Sequence, residues 1–484
     1  FIICFFTISC KDKEQKEGIF INEILSNNTC INYDPHFNDY SDWIEIYNGY
    51  SENKNISGWE IKIGKKPQKS WFIPKNTIIK PDSYFLIWAD GKDTANHANL
   101  KLSSKPKLIQ LLNQGKVIDS VRISKQKINV SYGRKSDGDD KWVYFYSPSP
   151  NNDNYNNLGV KSKKRIDPPL FSIKGGVYVE NQKIEISSKS GDKIKYTLDG
   201  SRPNENSPTY TDAIVTDNIT CIRAITINKE KLASKIITNT YLINPIGNLP
   251  FVSLTTDRQS LWNPDNGIYE NSLKKENRLA NFEYFDGRKQ VVNMELDLSL
   301  HGNVAKGHPQ KAFKVSAKKK YGKSTIDYNF FKNKDAKSFK SLLIRAGGHA
   351  DHFYTQFRDE LAQHLHVGHT KVDFQGSRPI VVYLNGEFWG IYNLKEKLNS
   401  EYITSNYGLK EGQFSMLEQS WQEVKTGKRE GYDQMLKFIN SCEKTTENYK
   451  KVNSLMDVYN FIDYNIVELW AANVDWPNWN IKYW

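Results

Sequence analysis

Apolar positions recur at two different periods along the chain, and the change of period divides it. From Gly18 to about Asn156 short runs alternate apolar and polar: I-F-I-N-E-I-L, D-W-I-E-I-Y-N, I-S-G-W-E-I-K-I, S-Y-F-L-I-W-A-D, L-I-Q-L-L-N, V-I-D-S-V-R-I and K-W-V-Y-F-Y. Gly, Asn, Asp and Pro separate them, which predicts an antiparallel β-sandwich over residues 18–156. Residues 171–244 read as a second all-β segment. Its strand Tyr196-Thr197-Leu198 meets the turn Asp199-Gly200-Ser201, and alternation resumes through Cys221-Ile222-Arg223-Ala224-Ile225. Asp199 is expected to form the turn.

From Leu249 strand-like runs come first (F-V-S-L-T-T, N-F-E-Y-F, M-E-L-D-L-S-L, K-A-F-K-V-S-A, L-L-I-R). A helix is predicted at about 353–366, then a hairpin P-I-V-V-Y-L-N-G-E-F-W-G-I-Y-N-L turned by Asn385-Gly386. Helical periodicity then takes over at 432–442, 449–456 and 461–472. The last of these reads as a buried helix stopped by Trp476-Pro477, with a strand following at 481–484. Strands first and helices second predict a small sheet-rich lobe followed by a helical lobe.

With 484 residues, 38% hydrophobic and 13% aromatic, the chain is too apolar for a disordered protein. The net charge of +12 arises from 67 basic residues interspersed with 55 acidic ones, so no specific nucleic-acid partner is expected. The densest basic cluster, Lys161–Arg165, falls in residues 157–170, read as a linker. Residues 1–10, F-I-I-C-F-F-T-I-S-C, fit the apolar core of a signal peptide ending in a lipobox whose Cys10 would be acylated, with 11–17 as a charged tether. The expectation is an exported bacterial lipoprotein at the outer membrane or cell surface, held to the membrane through Cys10. Five scattered cysteines give no disulfide framework. Histidines 301, 308, 349, 352, 364, 366 and 369 contain no H-E-x-x-H, so zinc is not expected among them.

Candidate chemistry lies in the last stretch, N-V-D-W-P-N-W-N-I-K-Y-W. Asp475 and Asn480 are separated by four residues, the spacing of a kinase catalytic loop, in which the Asp accepts the substrate hydroxyl's proton and the Asn holds a metal ion.

Three stretches resemble known families. I-N-E-I-L-S-N-N, Asp42-Trp43-Ile44-Glu45-Ile46, Gly58-Trp59, Trp88-Ala89-Asp90 and Ser131-Tyr132-Gly133-Arg134 resemble a lamin-tail domain, implying an immunoglobulin-like interaction module. Trp43, Trp59 and Trp88 are expected in its core. Residues 171–244 are similar to the small sandwich at the carboxyl end of chitobiases, an accessory fold. His301-Gly302-Asn303, Pro309-Gln310-Lys311-Ala312-Phe313, Arg358-Asp359-Glu360-Leu361, the 379–394 hairpin, Glu396 and Asn473-Val474-Asp475-Trp476-Pro477 resemble the CotH family of atypical, spore-coat-type protein kinases over 249–484.

The resemblance implies two all-β immunoglobulin-like sandwiches followed by an α+β protein-kinase-like domain, incomplete at its carboxyl end. It also implies transfer of the ATP γ-phosphoryl group to Ser or Thr of an exported protein substrate. It assigns Lys311 to the phosphates and Glu360 to hold that lysine, while strand alternation turns Lys314, an odd number of residues further on, to the opposite face. Asp475 becomes the base and Asn480 a Mg²⁺ ligand, with a second carboxylate expected beyond Trp484. Lys306 and Gln310 depart from the basic residues usual in the family, and ATP is scarce outside the inner membrane. A catalytically inactive kinase-like binding or adhesion protein, gripping a cell-surface polysaccharide or protein through its sandwiches, is therefore the alternative.

Overall fold

The structure, a computed structural model, describes residues 16–64, 69–102, 107–347, 351 and 354–484. Cys10 and the signal-like run lie outside the described residues. The chain divides into two compact units. The first comprises Phe1–Ile173, Lys183–Val215 and Ile222–Thr238, and the second Lys174–Gln182, Thr216–Cys221 and Asn239–Trp484.

In the first unit the alternating runs become two antiparallel sheets. One has the order Gly159–Val160, Trp142–Phe145, Ser131–Arg134, Ile19–Leu25, Trp43–Asn48, Ser83–Trp88, and the other Lys69–Phe72, Glu60–Ile63, Lys107–Asn113, Lys116–Ile123. Period two sends Ile21, Ile24, Ile44, Ile46 and Ile87 of the first sheet against Ile61, Ile63, Ile109 and Leu111 of the second. Each such side chain contributes about 1.5–3 kcal/mol on burial. Trp43 and Trp88 are buried with Leu25 and Leu86, and Trp59 packs partly buried against the main core. Further along, Lys193–Thr197 pairs antiparallel with residues 223–227. Asp199 turns the chain there, its Oδ1 accepting from Ser201 N (3.0 Å) and Ser201 Oγ (2.6 Å). The basic run expected as a linker is part of the fold: Ser162–Arg165 is a strand parallel to Lys231–Leu232, and Arg165 donates to the Ala233 carbonyl at 2.7 Å.

The second unit is built on strands that close on themselves. Lys289–His301 pairs with Arg278–Asp286, which pairs with Phe251–Thr255, then Ser377–Leu384, Glu387–Glu396, Ser341–Arg345 and Ala312–Ser316. Ala312–Ser316 returns to the far end of Lys289–His301, with Leu298 opposite Val315 and Leu300 opposite Phe313. Inside lie Leu254, Phe282, Leu296, Leu298, Phe313, Val315, Leu342, Ile344, Ile380, Val382 and Leu394. The predicted hairpin is in place, Asn385 and Gly386 both having positive φ (52° and 86°) as a two-residue primed turn requires. Arg378 and Asp286 clasp two strands of the ring through two hydrogen bonds of 2.8 and 3.0 Å.

Helices Arg358–Leu365, Ser400–Tyr407, Glu430–Ser441, Thr446–Leu455 and Val458–Trp470 belong to the same unit. The last was expected to be buried, but it has no buried residue, and Ile466, Leu469 and Trp470 are 57%, 66% and 68% exposed. Its apolar period specifies the helix and a sticky face; the partner that covers the face is a matter of tertiary packing.

Candidate active site

The final loop follows directly from helix Val458–Trp470. Asp475 N donates to Asn473 Oδ1 (3.1 Å), and the Asp475 carbonyl accepts from Asn478 N (3.2 Å) and Trp479 N (2.9 Å), which curls the chain back on itself. Asn480 Nδ2 then donates to Asp475 Oδ2 at 3.0 Å. The return is fixed from outside the loop. Asn480 N donates to Gln419 Oε1 (2.8 Å), and Lys482–Tyr483 pairs antiparallel with Met416–Glu418. Lys482 donates to the Leu398 carbonyl (2.6 Å) and lies 3.3 Å from Glu418. Burial pushes the Glu418 carboxyl up, but Lys425 and Lys482 outweigh it and hold it below its usual range.

Asp475 and Asn480 line a cleft of about 3260 Å³ shared by ring strands and helices. That is some three times the upper end of ordinary ligand pockets, roughly 1,000 Å³, so its chemistry has to be read from the side chains. Lys314, Arg345, Lys397 and Lys482 reach the cleft, with His301 among them. Burial lowers the Lys314 ammonium, with Lys318 and Lys306 adding to the effect, and lowers Lys397, where Lys314 and Lys482 add. His301 is pushed down to about 4 by burial and by Arg345, Lys397, Lys314 and Lys482. Neutral imidazole amid clustered cations marks a strongly positive wall.

Lys311 occupies a different place from the one expected. It precedes the strand Ala312–Ser316, and its ammonium donates to the carbonyls of Lys306 (2.7 Å) and His308 (2.9 Å) beneath the Tyr269 ring. Lys314, expected to face away, lines the cleft, and Lys311 does not. Face assignment by alternation fails here because Lys311 sits on the bend outside the strand.

Glu360 does lie in the first turn of Arg358–Leu365, as a lysine-holding carboxylate would, but the lysine is Lys395. Fully buried Lys395, from the hairpin strand Glu387–Glu396, stands 3.1 Å from Glu360 Oε1 and is hydrogen-bonded to Asp359. Arg345 approaches Asp359 at 3.4 Å. Burial raises the Asp359 carboxyl, yet Lys395 and Arg345 draw it down to about 2. The sequence does carry a signal for Lys395: the hairpin's alternation places it inside a strand, where a charge requires a partner.

Basic side chains and the Asp–Asn loop thus line one cleft, and comparison with known proteins gives its context. Residues 298–484 match the family model of the CotH kinase protein. That match covers less than half of the chain, and the model describes an atypical kinase. Residues 13–125 match the Lamin Tail Domain model and 173–238 that of the Chitobiase/beta-hexosaminidase C-terminal domain. No curated protein matches the chain. Among solved structures, the Clostridium thermocellum CbhA fibronectin(III)-like modules are similar over 46% of this chain and 91% of theirs, at 11% identity and a TM-score of 0.15, too low to carry an argument.

Proposed function

We propose that the CotH kinase segment transfers the γ-phosphoryl group of ATP to Ser or Thr hydroxyls of exported proteins. The observation that carries this is the Asp475–Asn480 pair, joined at 3.0 Å and opening onto the cleft that Lys314, Arg345 and Lys397 line. In this reading Asp475 accepts the proton as the substrate oxygen bonds to the γ-phosphorus and the bond to the β–γ bridging oxygen breaks, releasing ADP. Lys314 and Lys397, which line this cleft, fit the nucleotide's phosphates. The Asn480 carbonyl oxygen and the Asp475 carboxylate fit a hard cation's preference for oxygen donors. Bound Mg²⁺ would neutralise charge on the transferred group. Lys395, through Asp359, sets the wall of the site. Export and acylation at Cys10 complete the reading and rest on residues 1–10 of the sequence.

The full chain with labelled ATP and Mg²⁺ should phosphorylate protein acceptors, or itself. Asp475→Ala should lower the rate by about 10²–10⁴-fold, the usual contribution of a positioned base. Equal incorporation by both proteins would reject Asp475 as the base.

One observation favours the second reading, a catalytically inactive surface-binding protein. Lys311, at the family's phosphate-binding position, already spends its donors on backbone carbonyls. Failure of ATP to raise the melting temperature, together with glycan binding by the chain, would select it.

A further inference from the structure

The first unit holds a cluster of donors that the kinase reading leaves unused. The loop at Asp34 is closed by backbone hydrogen bonds between Asp34 and Asp39 (2.8 and 3.4 Å), and His36 N donates to Asp34 Oδ1 at 3.0 Å. The turn at His97 is tied down as firmly: His97 N donates to the Thr94 carbonyl (2.8 Å), and Ala98 N to that of Trp88 (2.8 Å). Between them, His36 Nδ1 lies 2.9 Å from His97 Nε2. Asp34, His36 and His97 each place one ligand atom within 4.8 Å of the others'.

Two features separate this cluster from a chance polar contact. Asp34 is completely buried, and its Oδ2, 3.7 Å from His97 Nδ1, has no hydrogen-bond partner among the described residues. A buried carboxylate oxygen left unsatisfied is costly unless something else meets it. The second feature is the outer arrangement. His97, itself fully buried, meets Asp90 Oδ2 through Nδ1 at 2.9 Å. That contact fixes Nδ1 as the protonated nitrogen and leaves the Nε2 lone pair pointing at His36, the carboxylate–histidine pairing typical of metal ligands. Lys92 Nζ, 3.5 Å from the same Asp90 oxygen, balances this outer carboxylate and leaves Asp34 as the anionic donor. Trp88 stacks beside the His97 ring and Phe37 meets it edge-on, so its orientation is held by packing.

We infer that Asp34, His36 and His97 form a site for a divalent transition metal of the zinc class. Two imidazoles and one carboxylate are the donor set such ions take, with coordination left over for water on the side of exposed His36. Bond lengths of about 2.0–2.2 Å place tetrahedral ligand atoms roughly 3.4 Å apart. The imidazoles therefore need to part by about half an ångström from their 2.9 Å separation, which exposed His36 can do. An ion here would cross-link two loops far apart in sequence and set a positive charge against the buried Asp34 carboxylate.

The test is metal binding by the chelator-stripped full chain, by titration calorimetry with Zn²⁺ and by the visible absorption of Co²⁺. The expected result is one saturable ion per chain with a Co²⁺ spectrum of low coordination number. His36→Gln, at an exposed position, and Asp34→Asn should each weaken binding at least tenfold. His369→Gln, in the other unit, should leave it unchanged. No saturable uptake, or uptake indifferent to both His36→Gln and Asp34→Asn, would overturn the inference and leave a plain hydrogen bond between the two imidazoles.

Discussion

Lys395 Nζ stands 3.1 Å from Glu360 Oε1 and is paired with Asp359, while its own side chain is withdrawn from water. Removing one partner of such a buried set leaves the others uncompensated, typically at about 3–5 kcal/mol. Lys395→Met should therefore lower the stability of the second unit by about 3 kcal/mol, read as a shift in denaturant midpoint, and adding Glu360→Gln should restore part of it. A midpoint unchanged in Lys395→Met would show that the pair is not a structural clasp. Legibility at this scale follows sequence distance. Asp475 and Asn480 are close along the chain, so their meeting could be read from spacing. Lys395 finds Asp359 only through the packing of a helix on a strand, and the sequence reading fixed on Lys311 instead. Asp34 and His97 belong to separate loops, and a short D-x-H has no distinctive spacing to flag it.

Among elements, the hairpin was readable in full, because apolar alternation on both sides of Asn-Gly specifies strands, turn and register together. Gly386 has φ 86°, and a Cβ there would meet nothing nearer than the Ile219 carbonyl at 3.6 Å. Gly386→Ala should thus show backbone strain alone, about 1–2 kcal/mol in equilibrium unfolding. A neutral result would mean that the turn relaxes to another type. The helix Val458–Trp470 shows the opposite balance. Its period was plain, but its burial was not, since burial depends on a neighbouring surface that no local pattern encodes.

Across the whole molecule the two units should respond oppositely to pH. In the first, burial raises Glu23 to about 7 and Asp42 to about 6, and raises Glu45, where Glu23 adds to the effect. Their folded states hold protons that the unfolded chain has released. Their contribution is complete below about pH 4.5 and is lost as pH rises towards 7. In the second unit Asp359 is held near 2, so its contribution is present above the ordinary carboxylate range and lost only as pH falls towards 2. Calorimetry at pH 5 and 7.5 should show the first unit losing stability at the higher pH, by about 2 kcal/mol, and Glu23→Gln should reduce that loss. A transition that does not move between these conditions would remove buried Glu23 from the account.

The strand Lys289–His301 takes part in pairings on both of its flanks, with Arg278–Asp286 and with Ala312–Ser316. Slippage along one flank is blocked by the other, so the lysine and arginine carried on neighbouring strands keep a constant phase relative to each other.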